Sequence, residues 1–210
     1  MKLYYNSAST NCRRVLATAY QLNAKIELQN IDFASDFCET PAFEKINPNG
    51  MLPALEDGSF YLWESNAMMQ YLCDKTGRTT LYPQDVQIRA DIHRWQFWGS
   101  EHFGQACNTL QWENLLKKMM NAGPTDAAAV QEATQSFREY AQVLDQHLAK
   151  NKYLCSAQGA AQVTLADFSV ACYLTYAEQA QMPAAEFTHI TRWMKDLNQE
   201  PGWKTSAPKM

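Results

Sequence analysis

The chain has 210 residues, enough for one large domain or two modest ones at roughly 100–200 residues each. Hydrophobic residues make up 46% and charged residues 19%, so the chain can bury a core and falls outside the disordered class. The net charge of −4 is mild and no Lys/Arg block stands out, which leaves a nucleic-acid or anionic-membrane partner without electrostatic support.

The opening Met1-Lys2-Leu3-Tyr4-Tyr5-Asn6 lacks the apolar stretch of a secretory signal. No apolar run approaches the roughly 18 residues of a membrane span, so the expectation is a cytoplasmic protein. Six cysteines (Cys12, Cys38, Cys73, Cys107, Cys155 and Cys172) are spread without a C-x-x-C pair. That spacing suits neither a zinc cage nor a disulfide framework, and it reads as reduced thiols packed like small apolar residues. No metal is expected.

Lys2 to Tyr5 reads as a strand, and the polar Asn6-Ser7-Ala8-Ser9 leads into a helix carrying Val15, Leu16, Ala19 and Tyr20 at helical spacing. Ser9 or Thr10 is a natural N-cap. A second strand follows around Ile26 to Ile31, and a helix-length crossover between the two strands favours a parallel pair. After a polar loop with a short helix from Pro41 to Ile46, Asn47-Pro48-Asn49-Gly50 is strong turn chemistry. Asp57-Gly58 then separates two short strands and is the best hairpin signal in the chain. Glu64-Ser65-Asn66-Ala67 opens the next helix, which Gly77 closes.

From Val86 the pattern is helical throughout. A long helix carries Ile88, Ile92, Trp95, Trp98 and Phe103 and continues to Met119, and Gly123-Pro124-Thr125-Asp126 breaks it. Another helix runs through Val130, Phe137 and Leu144 to Leu148, and Thr164-Leu165-Ala166-Asp167 has the form of a capping box. A last helix holds Ile190, Trp193 and Leu197, with Pro201-Gly202 expected to end it. The chain therefore divides into an α/β domain at 1–78, a linker at 79–86 and an all-helical domain at 87–210.

Four segments together resemble one family over nearly the whole chain. Lys2-Leu3-Tyr4-Tyr5 with Ser9-Thr10-Asn11-Cys12-Arg13-Arg14-Val15 resembles the strand–loop–helix start of cytosolic glutathione S-transferases, closest to bacterial-type members with a serine in that loop. Asn47-Pro48-Asn49-Gly50-Met51-Leu52-Pro53-Ala54-Leu55 resembles the family segment whose proline is cis. Glu64-Ser65-Asn66-Ala67-Met68-Met69 is similar to the segment that binds the γ-glutamyl group, and Thr164 to Phe168 resembles the capping box of the helical domain. The resemblance implies a thioredoxin-like α/β domain that holds glutathione and an all-α domain that holds a small hydrophobic electrophile. It also implies a homodimer.

In such an enzyme the glutathione thiol has to become a nucleophile. A thiol of pKa about 8.5 is only a few per cent thiolate at neutral pH, and lowering it by about two units takes roughly 2.7 kcal/mol. A hydroxyl donating to sulfur, with a helix N-terminus behind it, can supply this, and Ser9 is placed to do so. Ser9 could instead serve as an N-cap alone, leaving Thr10, Asn11 or a strand tyrosine, Tyr4 or Tyr5, to face the sulfur. Cys12, beside Arg13 at a helix start, is a third alternative as an acidified thiolate. That would give a thiol–disulfide oxidoreductase or peroxidase in place of a transferase.

The resemblance assigns the rest of the glutathione site to Met51, Leu52, Pro53, Glu64 and Ser65, with Ser9 and Asn11 at the thiol end. A cis Pro53 would present the Leu52 backbone to the cysteinyl backbone of glutathione. The helix start at Ser65 suits a carboxylate and Glu64 suits an ammonium. The family often has a basic residue before the Asn-Pro turn for the glycine carboxylate, and here Phe33 to Phe43 holds none, with Lys45 nearby. Trp98, His102 and Phe103 are the expected electrophile-side residues. A non-catalytic scaffold of the same fold is the remaining alternative.

Overall fold

A computed structural model describes residues 1–155 and 162–208. The chain divides into two compact units: unit one is Met1–Tyr82 together with the segment from Asn198 onward, and unit two is Pro83–Leu197.

Unit one is built on a four-stranded sheet in the order β2-β1-β3-β4, from β1 (Lys2–Tyr5), β2 (Glu27–Asn30), β3 (Ala54–Asp57) and β4 (Phe60–Leu62). β1 and β2 are parallel, joined by the crossover helix α1 (Thr10–Gln21), while β1–β3 and β3–β4 are antiparallel. Gly58, with φ +64°, makes the tight turn between β3 and β4 that the Asp57-Gly58 pair leads one to expect. Because strand side chains alternate, β1 sends Tyr4 to one face and Leu3 to the other. Tyr4 joins Ile31, Phe43 and Ala54 in a cluster completed by Phe37, Cys38, Ile46 and Leu52, from the segment that contains α2 (Pro41–Glu44). Leu3 and Leu55 are fully buried, as are Val15 of α1 and Met68 and Met69 of α3 (Ser65–Thr76). Gly77, at φ +66°, closes α3 in the left-handed region.

Unit two is helical. α4 (Val86–Trp98), α5 (Gly104–Gln111) and α6 (Lys117–Met120) run in succession, separated by π turns at Gly99–Phe103 and Trp112–Leu116. The single long helix expected from the sequence is therefore interrupted twice. Each π turn fits an extra residue per turn and shifts the facing of the next helical segment. Just after the first of them a Cβ on Gly104 would collide with the Tyr173 ring and the Gly99 carbonyl, so nothing larger than glycine fits there. α7 (Ala127–Leu148), α8 (Leu165–Ala171) and α9 (Thr188–Leu197) complete the unit around Phe103, Phe137, Phe168 and Trp193.

The C-terminus departs from the sequence reading. α9 ends at Leu197, and Pro201 opens a further helix, α10 (Pro201–Thr205), where its fixed φ and missing N–H are harmless at the first helical position. The segment from Asn198 packs with unit one, whereas the sequence reading placed it with the helical domain. A Cβ on Gly202 would collide with the Ala17 carbonyl, so α10 lies directly against α1.

Candidate active site

The loop after β1 is pinned by a buried asparagine. Asn6 donates from Nδ2 to the Ile31 carbonyl (2.7 Å), its Oδ1 accepts from the Ala8 N–H (2.8 Å), and its carbonyl accepts from the Ser9 N–H (3.1 Å). Ser9 follows in extended conformation as the N-cap of α1, its Oγ accepting from the Cys12 N–H at 3.3 Å. The cap uses a lone pair of the hydroxyl, whose proton can turn either to the neighbouring Cys12 sulfur or outward to another acceptor. The two readings of Ser9, helix cap and donor to sulfur, are thus compatible in one geometry.

The alternatives separate clearly. Cys12 is completely buried, and its sulfur accepts from the Asn6 N–H (3.4 Å). Burial pushes its thiol up to about 11, against the smaller pull of its hydrogen bonds to Ser9 and Asn6. An inaccessible, weakly acidic thiol is the opposite of a reactive thiolate, so the expectation of a catalytic Cys12 is corrected. Tyr4 donates its hydroxyl to Glu56 (2.8 Å), and burial with that partner pushes it up to about 12, so it is committed to the sheet. Tyr5 is half-buried at the end of β1. Asn11 is exposed in the first turn of α1.

Asn47, buried at 2% exposure, shapes the second wall. Its Nδ2 donates to the Met51 carbonyl (2.6 Å) and its Oδ1 accepts from the Asn49 N–H (3.0 Å), while Gly50 at φ +63° completes the turn. This delivers Met51, exposed, and Leu52, whose side chain is packed into the Tyr4 cluster, to a cis Leu52–Pro53 bond. Among the described residues none hydrogen-bonds the Leu52 N–H or carbonyl, so both remain for a ligand backbone.

At the third wall Glu64 has φ +70° and ψ 107°, a conformation that costs a non-glycine residue about 1–3 kcal/mol and clusters at functional sites. It is the N-cap of α3 yet makes no side-chain cap bond, so its carboxylate does not serve the helix end, where the partial positive charge favours an anion. Ser65 is buried at that end. Arg14 of α1, itself buried, donates from Nη1 to Asn66 Oδ1 (3.2 Å) and so ties the helix bearing Ser9 to the helix start bearing Ser65. The sequence reading missed Asn6, Asn47 and the Arg14–Asn66 link. Lys45 is exposed at the C-cap of α2.

In unit two the expected electrophile-side residues fare differently. Phe103 is fully buried, stacked on Trp98 (5.4 Å between centroids) and tilted against Phe137 (5.2 Å), so it lies in the core of unit two. Trp98 is half-buried, and His102 is exposed and stacked on Tyr140 (5.5 Å). His102 lines a groove with Glu101, Gln105, Glu132, Ser136 and Tyr140, a mostly polar lining. Among the described residues no group of three His, Cys, Asp or Glu could hold a metal ion, and no helix is long and apolar enough to cross a membrane.

A mixed sheet with a parallel β1–α1–β2 start, a cis-proline loop and an uncapped helix end defines the thioredoxin-like class of fold. Family models agree and go further: residues 3–80 match the glutathione S-transferase N-terminal domain, and residues 107–201 match the C-terminal domain. The chain belongs to the glutathione S-transferase family.

A probable glutathione S-transferase, GSTF2, of Oryza sativa subsp. japonica is 28% identical over 100% of this chain and 97% of its own. Glutathione S-transferase 3 of Zea mays is 29% identical over 99% of this chain and 93% of its own. Among solved structures, the theta-class glutathione S-transferase of Xanthomonas axonopodis pv. citri, solved with glutathione bound, superposes with a TM-score of 0.86 at 26% identity, covering 100% and 97% of the two chains. These relatives come from plants as well as a bacterium and do not single out the bacterial type.

Proposed function

We propose that this chain conjugates glutathione to small hydrophobic electrophiles, with Ser9 donating to the thiolate. Leu52 pairs with the cysteinyl backbone, Met51 and Pro53 frame that contact, and Glu64 and Ser65 receive the γ-glutamyl ammonium and carboxylate. Asn11, exposed beside Ser9, borders the sulfur. Trp98 and His102 face the electrophile. The observation that carries this reading is the Ser9 hydroxyl, which caps α1 through a lone pair at the helix N-terminus and can turn its proton outward to a ligand sulfur. The glutathione bound in the Xanthomonas relative supports the choice of ligand. The six cysteines are all free thiols, which supports a reducing, cytoplasmic setting.

The test is glutathione calorimetry combined with a pH titration of the bound thiol's ultraviolet absorbance. A bound-thiol pKa of about 6–7 is expected. Binding without that acidification would make the protein a holder, and no binding would end the reading. Glu64→Ala should weaken glutathione about tenfold and leave kcat at saturation almost unchanged, since the lost charge-assisted hydrogen bond is made equally before and during reaction. A large fall in kcat would contradict that role.

The working form is proposed to be a homodimer, as the family resemblance implies. Phe60, Tyr61 and Trp63 of unit one, each about 40% exposed or more, are consistent with a covered surface. Sedimentation giving the mass of one chain at working concentration would refute it.

A further inference from the structure

The segment from Asn198 holds the densest set of contacts that the proposed chemistry leaves unused. Trp203 is fully buried, and the guanidinium carbon of Arg13 lies 3.8 Å from its ring centroid. The indole N–H donates to Asn198 Oδ1 (3.2 Å), and the Trp203 carbonyl accepts from the Ser206 hydroxyl (2.9 Å), so the ring is fixed from its own side as well. Two further bonds hold the far end of α1: the Gly202 N–H donates to Gln21 Oε1 (2.8 Å), and Gln21 Nε2 donates to Glu200 Oε2 (2.9 Å).

Arg13 occupies a particular place in α1. Its backbone N–H donates to the Ser9 carbonyl at 2.9 Å, the hydrogen bond that closes the first turn on Ser9. First turns lack the bonds that hold a helix interior and open at low cost unless something outside pins them. Here the pin is a cation stacked on an indole face away from water, the setting in which that attraction is strongest.

We propose that Trp203 is a positioning residue for thiol activation: by clamping Arg13 it holds the first turn of α1, and with it the Ser9 hydroxyl, in one place beneath the sulfur. The inference rests on the transferase reading. Its physical basis is that a hydrogen-bond donor displaced by about 1 Å loses most of its effect on a reacting atom.

Trp203→Leu, Trp203→Phe and Gln21→Ala, made in the full chain, test it by amide hydrogen exchange, bound-thiol titration and kinetics. Trp203→Leu should speed exchange at the Arg13 amide about tenfold and raise the bound thiol's pKa by about half a unit. It should also lower kcat about fivefold while moving the KM for glutathione less than about twofold. Trp203→Phe keeps an aromatic face and should stay close to the unaltered chain, and Gln21→Ala should loosen only the last turn of α1 and leave the thiol unchanged. Should Trp203→Leu not fold, Arg13→Met carries the same expectations, because it keeps the aliphatic stem and removes the stacked cation.

A folded Trp203→Leu with unchanged Arg13 exchange, or with an unchanged thiol pKa, overturns the proposal. A thiol that is not acidified even in the unaltered chain overturns the transferase reading instead and takes the role of Trp203 with it. An acidified thiol that is indifferent to Trp203 overturns this proposal alone.

Discussion

Ser9→Ala is expected to lower kcat by about 100-fold with little change in the KM for glutathione. The magnitude follows from removing one preorganised donor from a developing or standing anion, an effect of about 10²–10³ in comparable sites. In the proposed binding mode ground-state glutathione is held mainly through Leu52, Glu64 and Ser65, so the loss should fall on turnover and on the bound thiol's pKa. The substitution also removes the cap that accepts from Cys12 N–H, at a cost of about 1 kcal/mol in stability. That second effect has to be separated from the first. Ser9→Asp does so, because aspartate caps a helix about as well as serine, yet offers a negative oxygen where a thiolate must sit. It should fold with near-normal stability and be the less active of the two. Turnover of Ser9→Ala within about threefold of the unaltered chain would move the role to Asn11 or Tyr5.

What the sequence made legible was local. The β1–α1–β2 start, the Asp57-Gly58 hairpin, the Gly77 stop and the Thr164–Asp167 box each depend on a few neighbouring residues, and each stands where the local pattern puts it. The cis Leu52–Pro53 bond was expected from family resemblance alone, since no short-range pattern distinguishes it from a trans proline opening a strand.

What stayed hidden depends on contacts far apart in the chain or on facing. Arg14 meets Asn66 across 52 positions, and Trp203 reaches Arg13 from the opposite end of the chain, so no window along the sequence contains both partners. Cys12 and Asn11 are adjacent in the first turn of α1, yet one is sealed and the other open, because helical periodicity gives a stripe without saying which structure covers it. Phe103 lies in the core, not on an open face, for a related reason. The π turn at Gly99–Phe103 shifts the helical phase just where the facing of aromatic residues had to be judged.

Asp167 carries the largest expected effect on stability. Its carboxylate, completely buried, accepts from four donors: the N–H groups of Leu154 (2.9 Å) and Thr164 (2.9 Å), the Thr164 hydroxyl (3.1 Å) and the Trp193 indole N–H (2.9 Å). It thereby joins the start of α8, the preceding loop and α9 within unit two. Asp167→Ala leaves all four donors in the interior without an acceptor, each costing about 1–3 kcal/mol without full additivity, so a loss of about 3–5 kcal/mol is expected. Against a typical total of about 5–15 kcal/mol this brings unit two close to unfolding. Asp167→Asn keeps one acceptor oxygen but turns an amide donor toward other donors, and should cost about 1–3 kcal/mol.

The two substitutions also predict a pH dependence. Burial pushes Asp167 up to about 6 from 3.8, against the pull of its hydrogen bonds. The folded chain therefore holds more proton than the unfolded chain between those values, and stability falls as pH rises through that window, by up to about 3 kcal/mol for this one group. Asp167→Asn has no proton to release there. The stability difference between the unaltered chain and Asp167→Asn should accordingly narrow from pH 4 to pH 6 and level off above it. Urea unfolding at a series of pH values measures this directly. A gap that stays constant, or widens toward neutrality, would mean that the four donors hold Asp167 ionised throughout and outweigh its burial.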